Sequence, residues 1–233
     1  MFSRKLFISL LLIFAPLSVI LTLLIFKNAF ITFLVYQLFI CLVIPIIDLI
    51  IISKNNFRES LIVIGIKKEN SKHSISNGLF FGIIFFLIII ASYYVFKDKF
   101  LDINRINLVL ASFGITTASF TFILMISFIV IFNSILEEVF WRGYLYYNLL
   151  TKLQLSKINI ILLTSFFFTS YHVFTIISFL GFNIVSTFAI ICLFLISLFW
   201  GYLRFKFDNL ISTIIIHFFC SLGYILILFL MKL

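Results

Sequence analysis

Runs of about twenty uncharged, apolar residues recur along this chain, and they leave it few ways to fold. A run of that length crosses the hydrocarbon core of a bilayer as a helix. Inside lipid, only helices and closed barrels satisfy their own backbone groups. Seven such runs stand at roughly 6–26, 29–53, 77–96, 106–136, 158–177, 182–203 and 209–231. Because 64% of the 233 residues are apolar, 11% are charged and the mean hydropathy is +1.30, a water-soluble fold could not hide this surface. The predicted fold is all-α, a polytopic transmembrane helical bundle of about seven spans. Residues 1–233 read as a single integral membrane domain. Abundant Phe (34) and rare Pro (2) suit long helices with aromatic lipid contacts.

Two runs have unusual ends. Arg4 and Lys5 precede the first, as in a signal peptide, but the run is long enough to span and no small-residue cleavage site follows. It is read as a retained first helix. The fourth run is longer than a bilayer requires, so it is tilted, kinked near Gly114, or begins as an interfacial piece. Segment 137–157 is compatible with a helix and is predicted to continue the fourth helix towards the interface.

The formal net charge is +9. The basic residues sit in short segments between apolar runs, which points to anionic lipid headgroups as partners and away from nucleic acid. With the N-terminus inside, inner segments hold 12 Lys and Arg and outer segments hold 5. This bias predicts an N-in, C-out protein that passes several times through the cell membrane. The basic loop 54–76, which contains His73, reads as the largest solvated piece. Cys41, Cys192 and Cys220 all lie inside apolar runs without a C-x-x-C pattern, and are read as buried free thiols.

Ionisable groups at membrane depth cost free energy and are usually retained for a purpose. The informative ones are Asp48, Glu137, Glu138, Arg142, His172 and His217. On a helix Glu138 and Arg142 are i and i+4, with the acid N-terminal to the base, so they share a face and are expected to pair. Glu137 is five residues from Arg142, about 140° round the helix, and is left without a local partner. A charge cluster at a helix end is the plainer reading of this segment. For either histidine alone, a hydrogen bond between helices is the plainer reading. Two histidines on separate helices together with a free Glu match the inventory of a hydrolytic site. Simple counting places Glu137 at the inner end of the fourth span and His172 in the outer half of the fifth, so their depths are expected to differ.

Other intramembrane protease chemistries find less support. H-E-x-x-H is absent, Asp48 is the one Asp clearly inside a span, and no G-x-S-x-G occurs. What remains is a Glu/His site that activates water. Two further classes stay open: a membrane binding protein that uses these residues for packing, and a small transporter whose Glu and His relay protons, with Asp48 a candidate member. Convergence of Glu137, His172 and His217 on one pocket separates hydrolysis from a relay strung across the membrane.

These residues, in this order, resemble the CPBP family of CAAX-processing proteases and bacteriocin-processing or immunity proteins, also called Abi. Its pattern is E-E-x-x-x-R, then F-x-x-x-H, then H-x-x-x-N or H-x-x-x-D, each on a different membrane helix. Here Glu137-Glu138 leads to Arg142 and Gly143, Phe168 to His172, and His217 to Ser221. Trp200-Gly201-Tyr202 and Asn209-Leu210 also look like the family's approach to its last histidine. The resemblance covers about residues 120–230, a catalytic core within the single domain. It implies an intramembrane endopeptidase, CAAX prenyl protease-like, acting on a membrane-associated peptide or protein. In that scheme Glu137 is the general base. His172 shares the water or protonates the leaving amine, and His217 with Ser221 polarises the carbonyl or stabilises its oxyanion. Glu138 and Arg142 support the site. If a metal is used, His172, His217 and Glu137 make a His2Glu shell for zinc. Ser221 departs from the family's Asn or Asp, being shorter and lacking the amide fork. The alternative is a non-catalytic membrane binding or bacteriocin self-immunity protein.

Overall fold

The structure is a computed structural model that describes residues 4–114 and 129–231. These residues are helical, with no strand among them. Among the described residues six helices are long and apolar enough to cross a membrane: α1 (Arg4–Ile25), α2 (Ala29–Ile52), α4 (Ser71–Phe100), α7 (Lys157–Leu180), α8 (Ile184–Phe207) and α9 (Ile211–Leu230). Three others complete the described set: α3 (Phe57–Ile64), α5 (Ile103–Ser112) and α6, an unbroken helical stretch over 129–151. Side chains such as Phe14, Phe80, Leu87 and Phe166 stand exposed around the outside. A membrane protein puts lipid against such a surface.

The fourth expected span differs from its description. α5 starts at an N-cap, where the Asp102 side chain accepts from the Arg105 N–H at 3.0 Å. It ends after Ser112, where Gly114 takes a left-handed φ of +78°. Residues 115–128 of that span lie outside the described residues. The structure resumes in α6, which carries 137–151 as part of one helix. The basic loop 54–76 is more ordered than a solvated connection. It contains α3, started by a reciprocal capping box between Asn56 and Glu59, and α4 begins at Ser71 with His73 exposed on its first turn.

Sequence chemistry fixes how the spans meet. Gly78 and Gly82 on α4 sit against α9, where an added Cβ would lie 3.0 Å from Ile215 and 2.6 Å from Phe219. Small residues four apart let two membrane helices approach closely, and this contact sets the position of α9 and His217. α7 and α8 form a hairpin. The Ser156 side chain caps the start of α7, and Asn183 caps α8 by accepting from the Val185 and Ser186 N–H groups.

The two ends of the bundle are closed by different means. At one end the guanidinium of Arg105 donates to the Ser178 and Ile177 carbonyls, the last turn of α7. At the other, Gly65 has φ +93°, its carbonyl accepts from the Leu210 N–H at 2.8 Å, and a Cβ there would strike the Arg204 guanidinium. Only glycine meets both conditions. Asn209 donates to the Lys67 and Glu69 carbonyls, so the α8–α9 turn is drawn inwards, with Asn209 and Leu210 fully buried. Cys41, Cys192 and Cys220 are free, and Cys41 and Cys220 are buried.

Candidate active site

α6 brings the acidic pair into the middle of the bundle. Glu137 is 2% and Glu138 0% exposed. The expected difference in depth between Glu137 and His172 is corrected by the true end of α6. Glu137 lies fourteen residues before Thr151, and His172 lies fifteen residues after Lys157. With the short turn between these helices as a common origin, both reach the same level. The helix continues past the charges because Glu138 and Arg142 neutralise one another and do not need the interface.

Glu138 is the hub of the packing. Its Oε1 accepts from Arg142 Nη1 at 2.9 Å and lies 3.2 Å from His217 Nδ1. Arg142 also donates from Nη2 to Ser197 Oγ of α8 at 2.6 Å. The guanidinium carbon sits 4.3 Å from the Phe168 ring centre and 5.2 Å from that of Trp200. A desolvated cation over an aromatic face is worth about 2 kcal/mol. Trp200 in turn stacks on His217, with ring centres 4.8 Å apart and an interplanar angle of 26°. Four helices are thereby tied to one carboxylate.

Glu137 is held differently. Its Oε2 is buried, lies 3.8 Å from His217 Nε2, and has no partner at hydrogen-bond distance. The Tyr171 hydroxyl is a neighbour of the same carboxylate. His172 is half-buried one residue further along α7, and its Nδ1 is 2.8 Å from the Phe168 carbonyl. A carbonyl can only accept, so Nδ1 carries the proton and the neutral ring keeps Nε2 as an acceptor. The Phe168 ring touches both histidines, with ring centres 4.7 Å from His172 and 6.0 Å from His217. Ser221, one turn beyond His217, meets Ser134 of α6, with the hydroxyls 3.1 Å apart.

The arrangement thus gathers Glu137, Glu138, Arg142 and His217 in direct contact, and sets His172 beside them across Phe168. Among the described residues no three His, Cys, Asp or Glu side chains come together as a metal ion requires. An open groove of about 360 Å³ runs between α4, α6 and α9. It is lined by apolar side chains, including Leu79, Ile135, Ile214 and Phe218, and by none of Glu137, His172 or His217. Asp48 belongs elsewhere. It accepts from Arg4 at 2.9 Å and from the Tyr144 hydroxyl at 2.9 Å, twelve residues along α2 from the Tyr36 level.

Several residues of the site were not singled out from sequence. Ser197 comes from α8, Tyr171 from α7, and Tyr36 and Gln37 from α2, whereas Trp200 of α8 was picked out only through the family resemblance. Gln37 Nε2 donates to Asn133 Oδ1 at 2.8 Å, one turn before Glu137. Trp141 Nε1–H donates to the Tyr36 hydroxyl at 2.9 Å. Polar groups within an apolar span were the available signal for Tyr36 and Gln37.

Compared with known proteins, residues 119–223 match the family model described as Type II CAAX prenyl endopeptidase Rce1-like. The matched segment contains all three motifs of the CPBP resemblance and accords with a protease of that family. No curated protein and no solved structure matches the chain.

Proposed function

We propose that this protein is an intramembrane endopeptidase of the CAAX prenyl protease type, resident in the cell membrane. Its substrate is a membrane-associated peptide or protein. One observation carries the reading: a buried carboxylate oxygen, Glu137 Oε2, faces a histidine nitrogen and has no hydrogen-bond partner. A carboxylate oxygen without a partner is expensive to bury. It is explained by a partner that arrives with the reaction, namely water and substrate.

In this mechanism Glu137 Oε2 takes a proton from a water as the water oxygen attacks the scissile carbonyl carbon. The C–O bond forms as the carbonyl π pair moves onto its oxygen. Collapse of the tetrahedral intermediate breaks the C–N bond, and the proton held on Glu137 passes to the leaving amine. His172 Nε2 accepts a hydrogen bond from the same water and orients it. His217 is fixed through Nδ1 by Glu138, so its Nε2, when protonated, donates to the developing oxyanion. Arg142, Ser197 and Trp200 hold Glu138 and His217 in this register. Metal assistance is not needed in this scheme, and no step passes through a metal.

A second reading rests on the Ser134–Ser221 contact. There the position that is Asn or Asp in the family pattern is tied to α6, which suits a non-catalytic binding or self-immunity protein. The experiment that separates the two is a cleavage assay on candidate membrane-associated peptides with the full chain in lipid vesicles. Wild type cleaves and Glu137→Gln does not if the peptidase reading holds. Equal behaviour of the two proteins on every cleaved peptide overturns it. If wild type is inert on peptides that Ser221→Asn cleaves, the binding reading stands.

A further inference from the structure

A run of hydroxyl and indole groups leads towards Glu137 from α2, a helix outside the family-matched segment. Trp141 Nε1–H can only donate, and it donates to the Tyr36 oxygen at 2.9 Å. The single proton of Tyr36 is given to the Tyr171 oxygen at 3.0 Å. Tyr171 therefore keeps its own proton for another acceptor, and the neighbouring acceptor is the Glu137 carboxylate. Trp141, Tyr36 and Tyr171 are 0%, 1% and 4% exposed, so water does not compete for these bonds.

We infer that Tyr36 is a positioning residue for the Glu137 base: it fixes the direction of the hydrogen bonds so that Tyr171 donates to one oxygen of that carboxylate. Oε2 is then left facing His217 with its lone pairs available. The inference rests on the proposed peptidase reading for the meaning of "base", but its geometry does not. Hydrogen bonds that share a direction polarise one another. Without Tyr36 the Tyr171 oxygen no longer accepts the bond that makes its own proton the better donor to Glu137. The neighbouring Gln37–Asn133 bond locks α2 to α6 beside this chain and keeps Tyr36 in register. On this account the N-terminal helices complete the site and do more than surround it.

The test uses infrared spectra of the full chain in lipid vesicles, in which the band lost in Glu137→Gln identifies that carboxyl group. Tyr171→Phe and Tyr36→Phe are expected to shift this band in the same direction. The double variant should shift it no further than Tyr171→Phe alone, because Tyr36 acts through Tyr171. In the cleavage assay Tyr36→Phe should lower kcat about tenfold with KM unchanged, the scale of one charge-assisted hydrogen bond. If Tyr36→Phe does not fold, Trp141→Phe removes the direction one link earlier and should move the band the same way. An unmoved band in the folded Tyr36 or Trp141 variant, or additive shifts in the double variant, overturns the inference. A shifted band in a protein whose wild type cleaves nothing leaves the inference standing and removes the peptidase reading. Cleavage that needs Glu137, with band and kcat indifferent to Tyr36→Phe, does the reverse.

Discussion

Two places in this bundle bury carboxylates, and they treat them in opposite ways. At the Arg4 end, Asp48 has both oxygens engaged: Arg4 donates to each of them, and the Tyr144 hydroxyl adds a further bond to Oδ2. In the middle of the bundle the two carboxylates divide the work. Glu138 binds Arg142 and His217 through Oε1 and leaves Oε2 without a partner, while Glu137 has no guanidinium and its Oε2 faces His217 Nε2 without a hydrogen bond. A buried charge that serves packing alone is expected to be paired. The difference separates carboxylates that hold helices together from one that is kept available.

The sharpest way to break this comparison is to remove the cation of the ion-paired carboxylate. Arg142→Ala strands Glu138 at 0% exposure, and loss of one member of a buried pair costs on the order of 3–5 kcal/mol. Thermal unfolding in detergent should show a large drop. Wild-type stability would mean that the pair carries little of the fold. Asp48→Asn comes next. It weakens charge-assisted bonds from a half-exposed Arg4 and a buried Tyr144 and should cost about 1.5–3 kcal/mol by the same melt. It should leave cleavage per folded molecule unchanged, whereas a proton relay through Asp48 predicts loss of activity. Ser197→Ala removes one bond to Arg142 and should cost about 1–2 kcal/mol.

The smallest effect is a pH dependence at the Gly65–Arg204 closure. Partial burial raises the pKa of the Asp208 carboxyl, but hydrogen bonds from Lys67 and Arg204 outweigh it and hold the pKa below the ordinary value. A folded-state pKa below the unfolded one gives stability that is present above the unfolded value, about 3.9, and lost as pH falls through the folded value. Acid melts of wild type and Asp208→Asn should therefore converge as the pH drops below that range. Asp208 is exposed, so the divergence at neutral pH should be small. Curves that stay parallel across the acid range would show that the cluster does not contribute.

Much of this was legible in the sequence for physical reasons that can be named. Helices of bilayer length follow from apolar runs, and the Glu138–Arg142 pair follows from i,i+4 geometry. Counting puts Glu137 at the end of its span because three charges in a row of apolar residues look like an interface, although the helix is read as continuing past them. Glu138 and Arg142 are in fact consumed by one another, by His217 and by Ser197, and Glu137 is buried beside them. That misreading produced the false difference in depth between Glu137 and His172. The partners of the site, Tyr36 with Tyr171 and Arg142 with Ser197, are 135 and 55 residues apart in sequence. No periodicity joins such pairs. They exist because α2 packs on α6, and α8 on α7 and α9, which local pattern does not encode.

The central claim is that adjacent buried carboxylates have been given different tasks, and paired melts of Glu137→Gln and Glu138→Gln test it without any substrate. Glu138→Gln should lose stability on the scale of Arg142→Ala, on the order of 3–5 kcal/mol, because it leaves a buried guanidinium without its counter-charge. Glu137→Gln should be as stable as wild type or more stable, since it relieves a buried carboxylate of its unmet charge. A Glu137→Gln variant that melts as early as Glu138→Gln would contradict the account, for Glu137 would then be part of the scaffold.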